Sequence, residues 1–208
     1  MISDTHGRHG SLVVPDGDLL IHAGDATGQG RASEVQAFDR WLGTLPHPHK
    51  VVIAGNHDFF FQDVPSARQT MKNAVYLEDE EVQIGGLRIY GSPWQPEFFD
   101  WAFNLPRGPE LRTKWQAVPS GVDILVTHGP PFGILDTVER GERVGCEDLL
   151  DEIVNRIRPR LHVFGHIHES YGRVERHGAT FVNASSCNLD YRPTNPPVVL
   201  DLQPVSPT

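Results

Sequence analysis

Five short polar clusters hold the side chains in this sequence that could do chemistry. They are Asp4-Thr5-His6, Gly24-Asp25, Gly55-Asn56-His57-Asp58, His128-Gly129 and Gly165-His166-Ile167-His168. Between them Asp4, His6, Asp25, Asn56, His128, His166 and His168 offer seven oxygen and nitrogen donors, enough to hold two divalent cations around one shared carboxylate. A mixed His/Asp/Asn set suits Mn²⁺, Fe²⁺ or Zn²⁺ better than an ion that takes oxygen alone, and Mn²⁺ is the favoured choice. Two such ions, roughly 3.5–4 Å apart, can clamp a phosphoryl group and make a nucleophile of water near neutral pH. Metal-assisted attack on phosphorus is therefore the chemistry to weigh against blander readings.

Other metal and phosphate signatures are missing. The two cysteines, Cys146 and Cys187, make neither a CxxC pair nor a disulfide framework, and in a reducing compartment they read as small buried apolar residues. There is no EF-hand loop, P-loop or GxGxxG. A single Asp or His at a strand end is usually a cap or a hydrated surface group. Five such clusters, each at the end of a strand, are not explained that way.

The elements that must position these clusters follow from apolar patterning. Short apolar runs at Leu19 to Ala23, Lys50 to Ala54, Val122 to Thr127 and Leu161 to Phe164 each feed a cluster and predict buried strands. Ser33 to Leu42 has helical spacing, with Val35, Phe38, Trp41 and Leu42 on one face and Ser33 as N-cap. Ser66 to Asn73 and Pro109 to Gln116 predict short helices, and Cys146 to Ile157 a longer amphipathic one. Val82 to Ile84, Gly85-Gly86 and Leu87 to Tyr90 spell a hairpin. Tyr171 to Glu175, Ala179 to Asn183 and Val198 to Leu202 are further strand candidates, while Ser92 to Gly108 has no period. Patterning alone gives an α/β fold with the clusters gathered along one strand rim, where open α/β sheets bind ligands. Asp4 and His6 are two apart, as are His166 and His168, and in extended backbone such residues share a face.

Composition bounds the partners. The 208 residues fit one domain, 1–208, with 38% hydrophobic and 22% charged residues, ordinary for a globular enzyme. The net charge is −9 and no stretch collects Lys and Arg, so no long nucleic acid is expected. A small anionic substrate remains compatible, because metals supply positive field locally. No apolar run approaches the roughly 20 residues that span a bilayer, so no membrane partner is expected. Met1-Ile2-Ser3 leaves no room for a signal peptide, which makes a cytoplasmic location the default expectation. The sequence says nothing about oligomeric state.

The ordered series D-x-H, G-D, G-N-H-D, H-G and G-H-x-H resembles the calcineurin-like metallophosphoesterase superfamily from Asp4 to His168. Ile21-His22-Ala23-Gly24-Asp25, Val52-Ile53-Ala54-Gly55-Asn56-His57, Ile89-Tyr90-Gly91-Ser92-Pro93-Trp94, Thr127-His128-Gly129-Pro130-Pro131 and Asn183-Ala184-Ser185 narrow the likeness. With Trp41-Leu42-Gly43 and Phe103 to Gly108, they point to the metallophosphoesterase-domain-containing branch, related to class III cyclic-nucleotide phosphodiesterases. The resemblance implies a four-layer αββα sandwich of two packed mixed sheets flanked by helices. It implies that Asp4, His6, Asp25 and His168 hold one metal, that Asp25 bridges, and that Asn56, His128 and His166 complete the second site. It places His57 beside the leaving-group oxygen as proton donor or electrostatic stabiliser, a task that suits a histidine. Two departures matter. Only Met1 to Ser3 precede D-x-H, so the first strand is short or the chain starts downstream of its natural beginning. The extended G-D and G-N-H motifs lack the arginines of protein Ser/Thr phosphatases.

The function expected is hydrolysis of a small phosphodiester, a cyclic or other small nucleotide first, by water activated between two metal ions. A phosphomonoesterase or pyrophosphatase with the same metals, and a nucleotide-binding regulatory module with weak turnover, are the rivals. Among the remaining residues, His9, His22, His47, His49, His162 and His177 have no motif context and read as surface or packing histidines, with His9, in the loop after His6, the one for which a place at the cleft is the alternative. Asp58 is read either as orienting His57 or as a turn cap. The aromatics of Trp94 to Phe103 are read as self-packing or as a wall for a base. Arg107 and Arg112 are within the range of residues that could reach a phosphate, and Glu78 to Glu81 reads as a solvated turn.

Overall fold

In the computed structural model, which describes residues 1–204, the apolar runs become two sheets laid face to face. Strands β1 (Leu19–Ala23), β2 (His49–Ile53) and β3 (Val75–Tyr76) form a three-stranded sheet, parallel throughout. Strands β4 (Glu80–Ile84) and β5 (Leu87–Ser92) are the expected hairpin, with Gly85 and Gly86 both at positive φ (57° and 81°), as a tight two-residue turn requires. A short parallel ribbon, β6 (Gln95–Pro96) and β7 (Asn104–Leu105), follows. Then come β8 (Ile124–Thr127), β9 (Leu161–Phe164), β10 (Gly172–Arg176) and β11 (Ala179–Asn183). The large sheet has the order β10-β11-β9-β8-β5-β4 and is mixed: its centre is parallel and the outermost pair at each edge antiparallel.

Alternation along the strands makes the layers. Ile21, Ala23, Val51 and Ile53 of the small sheet meet Ile89, Ile124, Val126, Val163 and Val182 of the large one in a dry central core. On the outer face of the small sheet, Leu20 and Val52 pack against Val35, Phe38 and Leu42 of helix α1 (Ala32–Thr44). The short helix α2 (Phe59–Asp63) adds Phe61 to that layer. On the far side Tyr90, Leu125, Phe164 and Phe181 pack against Leu111 and Trp115 of α3 (Pro109–Ala117) and Leu149 of α4 (Glu147–Glu152). Helix, sheet, sheet and helix give the four layers the family resemblance implied, except that only the large sheet is mixed, where two mixed sheets were expected. The small sheet is parallel because α1 carries the chain from β1 back to the start of β2.

Several local expectations are corrected. Helix α1 begins at Ala32, so Ser33 lies within its first turn and is not the N-cap. Its start is closed by Glu34, whose carboxylate accepts the Arg31 and Gly28 amides (both 3.0 Å). Ser66 to Asn73 forms only a 3₁₀ turn, Ala67–Thr70. The helix predicted over Cys146 to Ile157 is α-helical to Glu152 and then widens into a π turn, Ile153–Ile157, that ends on left-handed Arg158. Val198 to Leu202 joins no sheet ladder. Val198 exchanges two backbone bonds with Met1, and Val198, Leu200 and Leu202 close the end of the central core. The acidic run is no free turn, since Glu80 and Glu81 open β4 and bond to Arg68 and Arg88. No helix among the described residues is long and apolar enough to cross a membrane.

Candidate metal centre

All five clusters sit where parallel strands end. Asp25 follows β1, Asn56 and His57 follow β2, His128 follows β8, and His166 and His168 follow β9. Asp4 and His6 ride beside β1: Ile2 pairs with His22, and the Asp4, His6 and Gly7 amides donate to the carbonyls of Gly24, Asp25 and Ala26. Met1 to Ser3 thus act as the short first strand, with Ser3 also bridged to Ser185 beyond β11. The route to convergence differs from the alternation expected in extended backbone. Asp4 (φ 50°), His6 (43°), Asp25 (56°) and His166 (68°) all adopt left-handed backbone, which costs a non-glycine residue about 1–2 kcal/mol each. Such strain persists only where the surroundings over-determine it. The glycines make room for it: a Cβ on Gly55 would strike the Asp25 carboxylate, and one on Gly165 the Asp4 carboxylate.

The donor atoms converge. Asp4, His6 and His168 form one group, Asp4, Asp25 and His128 a second, and His6, Asp25 and His57 a third, with the donor atoms in each group within 4.8 Å of one another. His6 Nε2 lies 3.2 Å from His168 Nε2 and 3.8 Å from Asp25 Oδ2, and His168 Nε2 is 3.4 Å from Asp4 Oδ1. On the other side His128 Nε2 lies 3.4 Å from Asp25 Oδ2 and 3.0 Å from Asn56 Oδ1, which also meets His166 Nδ1 at 2.8 Å. Asp25 is the carboxylate common to both sides. All seven of the sequence-picked donors are brought together.

Whether these residues fit a metal can be judged from their hydrogen bonds. His128 Nδ1 donates to the Ala23 carbonyl (2.9 Å) and His168 Nδ1 to the Asn188 carbonyl (3.0 Å). In each neutral ring Nε2 is then a bare lone pair, and it faces other acceptors: Asn56 Oδ1 and Asp25 for His128, Asp4 for His168. Acceptors turned toward acceptors in a buried site call for a cation between them. In the protein alone, protons take that place. Burial disfavours a charged His128, but Asp25 overrides it and pushes its pKa up to about 9; for His168, burial is overridden by Asp4, again to about 9. Burial likewise opposes ionisation of Asp4 and Asp25, and their histidine neighbours still hold both well below the usual carboxylate range. His6 and His166 are pushed down, to about 4 and about 3, by burial first. A nitrogen ligand whose other ring nitrogen donates to a carbonyl is the usual supporting arrangement for a metal-bound histidine. The donor set fits divalent metal ions.

Comparison with known proteins agrees. The family model described as calcineurin-like phosphoesterase matches residues 1–170. This chain belongs to the calcineurin-like phosphoesterases. The chain is 49% identical to metallophosphoesterase domain-containing protein 1 of Homo sapiens, and equally so to that of Mus musculus, over 97% of its own length and 69% of theirs. It is 40% identical to UPF0046 protein T07D4.2 of Caenorhabditis elegans, over 99% of its own length and 60% of that protein. Calcineurin-like phosphoesterases use divalent metals, and the clustered donors are where this one would hold them.

Around the centre of this phosphoesterase, several open readings close. His57 Nδ1 donates to the Gly28 carbonyl (2.9 Å), which leaves Nε2 as its free nitrogen, and its ring packs against His6 and Trp101. Asp58 does not touch the imidazole. It accepts from the amides of Ala26, Thr27 and Gly55 and from the Thr27 hydroxyl, stitching two ligand loops together. Burial and then Asp25 push its pKa up to about 6. His9 is a packing histidine, buried against Phe38 and Trp41, and not a cleft residue. Arg107 donates to the carbonyls of Val144 and Gly145, and Arg112 pairs with Asp148, so neither arm serves the site.

Three residues escaped sequence reasoning. Ser185 Oγ donates to Asp4 Oδ2 (2.9 Å), the Asn188 carbonyl orients His168, and the Tyr191 ring lies 4.7 Å from that of His6. Ser185 belongs to the Asn183-Ala184-Ser185 segment that marked the resemblance, and that was its only signal. Asn188 and Tyr191 left none.

Proposed function

We propose that this chain is a metal-dependent phosphodiesterase acting on a small phosphodiester, with a cyclic or other small nucleotide as the substrate class and Mn²⁺ as the favoured metal. The observation that carries the metal chemistry is the facing of bare acceptors: His128 Nε2 toward Asn56 Oδ1 and Asp25, and His168 Nε2 toward Asp4. Asp4, His6, Asp25 and His168 would hold one ion, Asn56, His128 and His166 a second, with Asp25 shared. Bound there, the ions supply Lewis-acid polarisation of phosphoryl oxygens and a water nucleophile at neutral pH.

The chain's own residues do the rest. Ser185 and the His166 amide, bonded to Asp4, keep its carboxylate aimed, and the His57 amide, bonded to Asp25 Oδ1 (2.8 Å), does the same for the shared carboxylate. Fixed aim of this kind removes reorganisation from the reaction step. His57 stands beside the donor cluster, its Nδ1 proton committed to Gly28, so the proton it exchanges with a leaving alkoxide sits on Nε2. Substrate size is limited by what surrounds the centre. The G-D and G-N-H loops lack arginine, and Arg107 and Arg112 are tied to other loops, which favours a single phosphodiester over a phosphoprotein or a polyphosphate.

With Mn²⁺ added, hydrolysis of bis(4-nitrophenyl) phosphate should exceed that of 4-nitrophenyl phosphate, and cyclic nucleotides should be turned over. His57→Ala should slow esters with poor leaving groups far more than nitrophenyl esters. A preference for the monoester would overturn the diesterase assignment and leave the metal site standing.

A further inference from the structure

Four of the exposed large apolar side chains among the described residues, Phe98, Phe99, Leu189 and Tyr191, come from just two loops, and both loops touch the metal-site residues. Single exposed apolar groups need no explanation, but a gathering around one cleft does. Tyr191, 43% exposed, places its ring 4.7 Å from His6, 5.7 Å from His168 and 6.1 Å from His57. From the opposite loop Phe98, 52% exposed, comes within 6.3 Å of His166, and Trp101 lies 4.3 Å from His57. The aromatic stretch of the sequence therefore divides. Trp94 and Phe103 pack on each other, Trp94 also under Lys114, whereas Phe98 and Trp101 turn toward the centre.

These rings are held, not trailing. Asn104 Nδ2 donates to the carbonyls of Phe98 and Phe99 (3.1 and 3.0 Å), and the Ala102 amide bonds the Asn56 carbonyl (3.1 Å), tying the loop to a ligand residue. The other loop is wound around Asn188, whose Oδ1 accepts from the amides of Asp190 and Arg192 (both 3.0 Å). Phe99 (φ 52°) and Tyr191 (φ 56°) stand in left-handed backbone, which bulky side chains avoid unless the surroundings insist. A pre-ordered aromatic surface loses little entropy when it receives a flat ligand.

We infer that Tyr191 and Phe98, with Trp101 behind His57, form an aryl-binding wall that takes the planar, uncharged portion of the phosphoester substrate, a nucleobase or other aromatic ring. The inference rests on the phosphodiesterase reading for the phosphate itself. Arg107 and Arg112 are committed elsewhere, which fits a neutral ring better than a second phosphate at this wall.

Calorimetric titration of the Mn²⁺-loaded protein with inorganic phosphate, methyl phosphate and phenyl phosphate tests the wall without turnover. Phenyl phosphate should bind about 10-fold more tightly than methyl phosphate, within the range of one ring stacking on an aromatic side chain. Tyr191→Ala and Phe98→Ala should each cut that ratio severalfold and leave the affinity for inorganic phosphate in place, while Tyr191→Phe keeps the ratio. Equal binding of the two esters by the parent protein, or a ratio unmoved in both alanine variants, overturns the wall alone. A metal-loaded protein that binds none of the three probes overturns the phosphodiesterase reading of this site and the wall with it.

Discussion

The small parallel sheet carries Asp4, His6, Asp25, Asn56 and His57 at its rim, and the large mixed sheet carries His128, His166 and His168. Both brace their loops in the same way. On the small sheet His22 Nε2 meets Thr5 Oγ1 (3.0 Å), between Asp4 and His6; on the large sheet His162 Nε2 meets Thr127 Oγ1 (2.8 Å), next to His128. Thr127 passes its own proton to the Gly129 carbonyl (2.7 Å), so His162 is the donor there. Both histidines are fully buried. The loads differ, however. Both carboxylates and three of the four left-handed residues belong to the small sheet, whereas the large sheet offers imidazoles alone. One side holds both carboxylates and most of the backbone strain, and the other supplies imidazoles, with His166 its one left-handed residue.

That division predicts unequal responses to mutation. The largest effect is expected at Asp25, which both sides share. Asp25→Asn should cost retention of both ions and lower turnover by well beyond the roughly 100-fold typical of supporting residues, as read by metal content and diester hydrolysis. An Asp25→Asn protein stripped of metal that keeps full activity would end the two-ion reading. Next comes Ser185→Ala, which removes a hydroxyl reaching across from the large-sheet side to Asp4. It should weaken metal affinity about 10- to 100-fold with little change in thermal stability. If instead it unfolds the protein while metal affinity holds, the hydroxyl serves the fold and not the site.

The smallest effect tests the two braces against each other. Burial pushes the pKa of His22 and of His162 down to about 3, against 6.5 for an unburied histidine. The unfolded chain then binds more protons below pH 6.5. The stability is therefore complete above that value and falls with pH through the window from 6.5 to about 3. At pH 5 each brace costs about 2 kcal/mol relative to pH 8. His162→Gln and His22→Gln should each shrink the loss of unfolding free energy between pH 8 and pH 5 by about that much. Unequal effects in denaturant titrations would break the parallel between the sheets.

Much of this was legible in the sequence, for a physical reason. The apolar runs before Asp25, Asn56, His128 and His166 are strands whose ends must share a rim, so the donors could be gathered without knowing a single distance. The way the first and last clusters reach the centre was not legible. Asp4, His6 and His166 get there through left-handed backbone, which only the glycines and tertiary hydrogen bonds make tolerable. His9 is the packing histidine its lack of motif context suggested, and the alternative at the cleft fails because the aromatic face of α1 holds it. Asp58 could be read as orienting His57 or as a turn cap, and its carboxylate does cap backbone amides, those of Ala26, Thr27 and Gly55. Ser185, Asn188 and Tyr191 act from far along the chain, where no local pattern records a contact with Asp4, His6 or His168.

The bond from Ser185 to Asp4 spans 181 positions, and the approach of His6 to His168 spans 162. Contacts of such separation form late, since the long loop must close before they repay its entropy. During synthesis, the part of the chain that has emerged before β9 holds carboxylates and imidazoles but no completed cage. The full set of donors is therefore expected to close around metal only after β9 and the segment beyond β11 are in place, so that metal would latch the finished molecule more than seed it.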